Sequence, residues 1–347
     1  MTAANHEYPF RNLVFEGGGV KGLAYLGALE VLQKKGILDR IVRVGGTSAG
    51  SVNALLLALG YSLEEMNGVL SSIDFRSLLD DDWGIIRDTR RLLTRFGWYK
   101  GDRFREWVAE LIARKTGNAE LTFRELWHRK DEGFLSLYVY GVNLSTRFGE
   151  VFSRRHTPST QIAEAIRISM SIPLFFTAFR SSSSEYYVDG GLLENYPIKL
   201  FDRLEFIEEG REALHARPTP YYERLNRRVR VNPYVYNRET LGFRLDSGRE
   251  ITAFREGSKP IRHQISNFFD FTWALIETVL ESQQNQHLHS DDWQRTIYID
   301  TLGVRTTDFQ ISQKKRKALI QSGRSHTLKY FSWYDNSASQ AINRPCL

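Results

Sequence analysis

Cysteine is almost absent from this 347-residue chain. Its one copy, Cys346, excludes a disulfide within the chain and any zinc site built from cysteines. Long apolar runs are missing as well: no stretch approaches the roughly 18–20 apolar residues that a membrane-crossing helix needs. No arm of five or six consecutive Lys or Arg appears, although Lys and Arg outnumber Asp and Glu by 47 to 41 for a net charge of +6. Such a spread-out excess suits anionic surfaces in general without choosing between lipid head groups and nucleic acid. Met1 to Phe10 lack the basic start and apolar run of a secretory signal. The chain is therefore expected in the cytoplasm, touching membranes only from outside. What it does hold is core material. With 41% hydrophobic residues and 13% aromatics, disorder over the whole chain is excluded, and the length suits one large α/β domain.

The order of patterns suggests layers. Asn12 to Phe15 is a short apolar strand running straight into glycines. Leu23 to Lys35 has an apolar face at helical spacing and is stopped by Gly36. Ile41–Val44 reads as a second strand and Ala49–Leu59 as a second helix. Ala54 to Leu59 contains only leucine and alanine, so that helix is expected to be buried all round. Leu135–Asn143 and Tyr186–Val188 are strand-like, with a helix at Ile162–Ser171 between them. This alternation argues for a three-layer α/β/α fold around a mostly parallel sheet. The charged stretch from Leu204 to Tyr236, with Pro218, Pro220 and Pro233, reads as a boundary or long loop. Beyond it, helices are expected at Ile261–Ser282 and Lys314–Tyr334 and a strand at Arg295–Asp300. Apart from Ser181–Ser184 there is no low-complexity tract, and there is no internal repeat.

Three constellations carry chemistry. In Glu16-Gly17-Gly18-Gly19-Val20-Lys21-Gly22, consecutive glycines between a strand and a helix bring bare N–H groups to a helix start, suited to a phosphate or a developing oxyanion. Gly17, Gly19 and Gly22 also match the dinucleotide fingerprint. That reading wants an acid closing the second strand, which instead ends in Gly45-Gly46 with Asp39 ahead of it. Gly46-Thr47-Ser48-Ala49-Gly50 is a G-x-S-x-G pentapeptide between a strand and an apolar helix, the setting of a nucleophile elbow. The turn leaves no room for side chains at Gly46 and Gly50, and it should present Ser48 exposed above the sheet at the positive end of a helix. Asp189-Gly190-Gly191 closes a strand with an acid. Alone it would read as an ordinary Asp-Gly turn.

Together and in this order, the three resemble the signature blocks of patatin-like phospholipases, over roughly Asn12 to Phe201. Asn195-Tyr196-Pro197-Ile198 and Met170-Ser171-Ile172-Pro173 are similar to that family's flanking sequence. Thr240–Leu245 and Arg305–Asp308 echo its bacterial branch. Lys21 stands where the family often has Arg, keeping charge but losing the planar fork. The resemblance implies a catalytic unit at 12–203, preceded by a tail at 1–11; residues 204–347, either a separate domain or an extension, are expected to continue the same fold. It implies a Ser–Asp dyad cleaving acyl esters of phospholipids or lysophospholipids through an acyl-enzyme. Ser48 would be the nucleophile, Asp189 the base, and the N–H groups of Gly17, Gly18 and Gly19 the oxyanion hole. Lys21, Gly22, Gly46, Gly50, Gly190 and Gly191 would shape the loops. No cofactor or metal, and no nucleic-acid partner, is called for; the implied partner is a membrane surface, touched peripherally.

Two rivals remain. A Ser-His-Asp triad would draw on His263, His287 or His289, but that fold wants more sheet elements between the oxyanion loop and the elbow. A lipid-binding protein with a decayed site would not keep every required side chain. Finally, from Trp83 to Phe104, aromatic and aliphatic residues interleave with five arginines and Lys100. This suits either a core-facing helix with a charged side or an interfacial segment or lid.

Overall fold

The computed structural model describes residues 8–72, 96–229, 231–246, 265, 271, 274, 275, 278, 279, 291–306, 308, 311–339 and 341–344. In chain order its elements begin with β1 (Asn12–Phe15), α1 (Ala24–Lys34), β2 (Arg43–Thr47), α2 (Ala49–Ala58) and α3 (Leu63–Ser72). Then come β3 (Gly97–Tyr99), α4 (Asp102–Thr116), α5 (Phe123–His128), β4 (Ser136–Asn143), β5 (Phe148–Ser153) and α6 (Ile162–Ser169). Three short strands follow, β6 (Leu174–Phe176), β7 (Phe179–Arg180) and β8 (Tyr186–Asp189), and a one-turn helix, α7 (Gly191–Glu194). The chain continues through α8 (Glu212–His215), β9 (Ala216–Arg217), α9 (Pro220–Asn226), β10 (Tyr236–Asn237), β11 (Thr240–Asp246), β12 (Thr296–Asp300) and α10 (Gln313–Tyr334).

One eight-stranded sheet organises the molecule, in the order β12-β11-β1-β2-β4-β8-β7, with β5 also paired to β4. From β12 to β4 every pairing is parallel, with β1 and β2 in the centre. Both are buried along their whole length except Arg43, as a parallel strand covered on two faces requires. Beyond β4 the direction reverses. β8 is antiparallel to β4, whereas simple strand–helix alternation had counted it with the parallel set. The reason is local: Ser181–Ser184 is the turn of a hairpin, Ser184 taking a φ of 67°, so β7 and β8 must run in opposite directions. The hairpin strand β5 is half apolar, but Phe148 is exposed and only Phe152 and Ser153 are buried, and no strand was expected there.

Helix α2 lies buried on all sides but Leu57, as its leucine run demanded. Helices α1 and α10 cross closely through two glycines. A Cβ on Gly27 would lie 1.8 Å from the Ile320 carbonyl oxygen, and one on Gly323 would lie 1.9 Å from that of Ala24. The proline-bearing stretch after Leu204 is not a plain loop. Pro220 occupies the first turn of α9, where its missing N–H costs nothing, and Thr219 caps that turn by accepting from the Tyr222 N–H. At the edge of this region Arg295 is fully buried and grips both oxygens of Asp202 at 2.6 Å and Asp292 Oδ1 at 2.6 Å. A buried guanidinium tolerates such a site only when paired this fully.

Of the Trp83–Phe104 segment, 83–95 lie outside the described residues. Its described part is not a helix throughout: Gly97–Tyr99 pairs in parallel with β6, and α4 begins only at Asp102. The helix expected at 261–282 and His263, His287 and His289 also fall almost wholly outside the described residues. No described helix is long and apolar enough to cross a membrane.

Candidate active site

The three constellations meet at the carboxyl end of the central strands, where parallel α/β sheets place their sites. Ser48 is the residue between β2 and α2, with φ 52° and ψ −130°, a conformation that costs a non-glycine residue strain. The flanking glycines are compelled by close approach. A Cβ on Gly46 would lie 2.6 Å from the Gly50 backbone, and one on Gly50 would lie 2.4 Å from the Phe15 carbonyl oxygen. The serine's own N–H donates to Ser169 Oγ at 2.9 Å, and that hydroxyl donates to the Tyr140 carbonyl at 2.7 Å. Ser169, at the end of α6, therefore ties the elbow to β4.

Ser48 was expected to stand exposed, but only 6% of its surface is accessible. The glycine loop and Met170 close over the turn: Met170 Sδ lies 3.5 Å from Ser48 Oγ, and the Gly17 α-carbon packs against Ser48.

Asp189 ends β8, 5% exposed. Burial raises its pKa from the usual 3.8 to about 7, against the lowering effect of the Gly191 N–H, which donates to Oδ1 at 2.7 Å, and of the Ser48 hydroxyl. The serine thus lies close to the carboxyl. Its hydroxyl is nevertheless turned to Met170, and Asp189 Oδ2 is left without a hydrogen-bond partner. Loose geometry of this kind is common before substrate binds. Among the described residues no histidine hydrogen-bonds to either side chain. His156 pairs with Ser153, His215 with Arg211, and His326 with Ser322.

The glycine loop lies beside this pair. Gly19 takes φ 55°, and a Cβ there would meet the Thr306 carbonyl oxygen at 2.3 Å. Of the three N–H groups expected to face an oxyanion, that of Gly17 is engaged, donating to the Asn195 carbonyl at 3.1 Å. Those of Gly18 and Gly19 have no hydrogen-bond partner among the described residues. Gly22 packs its bare α-carbon on Asn53, and Gly190 packs on the Tyr140 carbonyl, where a Cβ would come to 2.4 Å. Gly191 supplies the N–H that holds Asp189, and Lys21 contributes positive potential toward Glu16.

Sequence reasoning missed the ionic floor of the loop. Glu16 is fully buried and accepts from the Leu245 N–H at 2.6 Å and from Asn195 Nδ2 at 3.3 Å. Burial pushes its pKa up, and Arg244, itself paired with Asp246 at 3.2 Å, draws it back. A buried glutamate just ahead of a glycine loop has no periodic signal; its partners are some 180 to 230 residues away.

Residues 13–202 match the family model for patatin-like phospholipase. A Bacillus subtilis protein, YqhO, is 31% identical over 330 residues, spanning 90% of this chain and 95% of that one. A cGAMP-activated phospholipase of Escherichia coli is 26% identical over 206 residues, 54% of this chain and 53% of the relative. Among solved structures, VipD from Legionella pneumophila superposes with a TM-score of 0.58 at 18% identity, over 93% of this chain and 67% of that one, a likeness of fold.

Proposed function

Because the chain belongs to the patatin-like phospholipase family, we propose that it is a lipid acyl hydrolase of phospholipase A or lysophospholipase type, working by a Ser48–Asp189 dyad. The single observation that supports this most is Asp189 itself. A buried carboxylate beside a strained serine, held by one N–H and raised to about 7, is poised to exchange a proton near neutral pH.

In the first half-reaction Asp189 takes the proton of Ser48 as Oγ attacks the ester carbonyl carbon. The oxyanion that forms is received by the N–H groups of Gly18 and Gly19 at the start of the helical turn, preset donors of the kind worth roughly 3–4 kcal/mol each. Collapse of the tetrahedral species breaks the bond to the leaving alcohol, which takes the proton back from Asp189 and departs as the deacylated lipid. Asp189 next removes a proton from water, which attacks the acyl-Ser48 ester. The fatty acid leaves and Ser48 regains its proton. No imidazole takes part. The substrate is reached from a membrane surface that the protein touches peripherally from the cytoplasm, and β11, β12 and α10 belong to the same folded unit as the dyad.

The experiment is covalent labelling. A fluorophosphonate should modify Ser48, identified by peptide mass spectrometry, and Ser48→Ala should be unmodified and inert while still folded. Modification at another serine, or full ester hydrolysis by Ser48→Ala, would overturn the assignment.

A further inference from the structure

Asn195 grips Gly17 from both sides. Its carbonyl oxygen accepts from the Gly17 N–H at 3.1 Å, and its side-chain Nδ2 donates to the Gly17 carbonyl oxygen at 3.2 Å. The same Nδ2 lies 3.3 Å from Glu16 Oε1, whose other oxygen is fixed by the Leu245 N–H of β11. Gly17 is squeezed between two neighbours: a Cβ there would meet Asn195 Oδ1 at 2.4 Å and Ser48 Cβ at 3.0 Å. Asn195 stands at the end of α7, the one-turn helix that begins within the Asp189-Gly190-Gly191 turn. Thr47, next to Ser48, donates its hydroxyl to the Glu194 carbonyl at 3.1 Å, so the elbow is tied to the same helix. One short piece of chain therefore touches the elbow, the glycine loop and the acid-bearing turn.

The peptide plane gives this clamp a catalytic consequence. The carbonyl of Gly17 and the N–H of Gly18 belong to one planar trans unit and point in opposite directions. A donor that fixes the carbonyl fixes the N–H. We propose that Asn195 is the positioning residue of the oxyanion loop: by holding the Gly17 carbonyl it aims the Gly18 N–H, and through α7 it sets that donor in register with Asp189. This rests on the dyad reading above. Asn195 is 8% exposed and touches no reacting atom in this account, so it acts through Gly18 alone.

Hydrolysis of a short-chain p-nitrophenyl ester is the test, run on Asn195→Ala and Asn195→Ser, with wild type and Ser48→Ala alongside. Neither replacement spans to the Gly17 carbonyl, whereas the main-chain bond from the Gly17 N–H survives in both. The expected result is a fall in kcat of about 10- to 100-fold, part of what losing a whole oxyanion donor costs. KM should change less than threefold, and the acid limb of the pH–rate profile should stay where wild type has it, because Asp189 is untouched. Thermal melts should show a folded protein. Unchanged kcat overturns the inference. So does a loss carried by KM or by a displaced acid limb, or the unfolding of both variants, since each makes Asn195 part of the scaffold rather than of oxyanion alignment. If instead Ser48→Ala keeps wild-type activity, it is the dyad reading that has failed.

Discussion

Replacing Asp189 by asparagine should abolish hydrolysis and yet make the protein more stable at alkaline pH. The side chain is 5% exposed and its carboxyl is raised from 3.8 to about 7, chiefly by burial. A carboxyl whose pKa is higher folded than unfolded favours the folded state while protonated. Its contribution is intact below pH 4 and is lost as the pH climbs through about 7. At 1.36 kcal/mol per pH unit, the site costs the folded state about 4 kcal/mol above pH 7, where the carboxyl is ionised, and about 1.5 kcal/mol at pH 5, where the folded form still holds a proton that the unfolded chain releases. Asparagine has the same shape, keeps an oxygen for the Gly191 N–H, and does not ionise. The raised Glu16 is present in both proteins, so its titration largely cancels in the comparison. Paired thermal melts of wild type and Asp189→Asn from pH 5 to pH 8.5 should diverge with rising pH, reaching several degrees at about 2 °C per kcal/mol for a chain of this size. Equal stability throughout, or a gain that does not depend on pH, would refute the reasoning.

The rate profile should show the same group from the other side: kcat/KM rises with pH as Asp189 loses its proton, with an acid limb near 7, and a limb near 4 would contradict the buried base. Two glycine variants should differ for steric reasons visible in the loop. Gly19→Ala combines a φ of 55° with a 2.3 Å approach to the Thr306 carbonyl and should cost about 100-fold or more in turnover. Gly18→Ala has no positive φ to strain it, Gly18 lying at −178°, and under 3 Å its Cβ meets only the movable Leu245 Cδ1, at 2.7 Å, so it should stay within about tenfold of wild type. Equal loss in the two would remove the steric argument, and ester hydrolysis with paired melts reads it directly.

Much of the site was legible because its chemistry is local. A turn tight enough to bring Gly46 against Gly50 admits no side chain at either, and that demand is written within five residues. The Asp189 carboxylate and the N–H that holds it are two residues apart, so the Asp-Gly-Gly turn could also be read directly. What escaped were the ties between distant segments. Ser169 reaches the Ser48 N–H across 121 positions and Asn195 reaches Gly17 across 178, and neither spacing leaves a periodic trace. Within the parallel part of the sheet, β1, β2, β4 and β12 followed from their apolar strand patterns, whereas β11, which pairs with β1, was not foreseen as a strand. The sheet's antiparallel margin depended on hairpins at Asn143–Phe148 and Ser181–Ser184 whose strands are short or half-exposed. The burial of Ser48 was misjudged because an elbow fixes only the backbone. Whether neighbours cover the hydroxyl is decided by Met170 and Gly17, which no local rule connects to it.

The central claim is that this chain breaks acyl esters of lipids with Ser48 and Asp189. Incubating the purified protein with mixed phospholipid and lysophospholipid vesicles and identifying the products by mass spectrometry tests it most directly. Wild type should release free fatty acid and leave the matching deacylated lipid, and neither Ser48→Ala nor Asp189→Asn should release any. Fatty acid released equally by the two variants, or no release by wild type from any of the lipids, would contradict it.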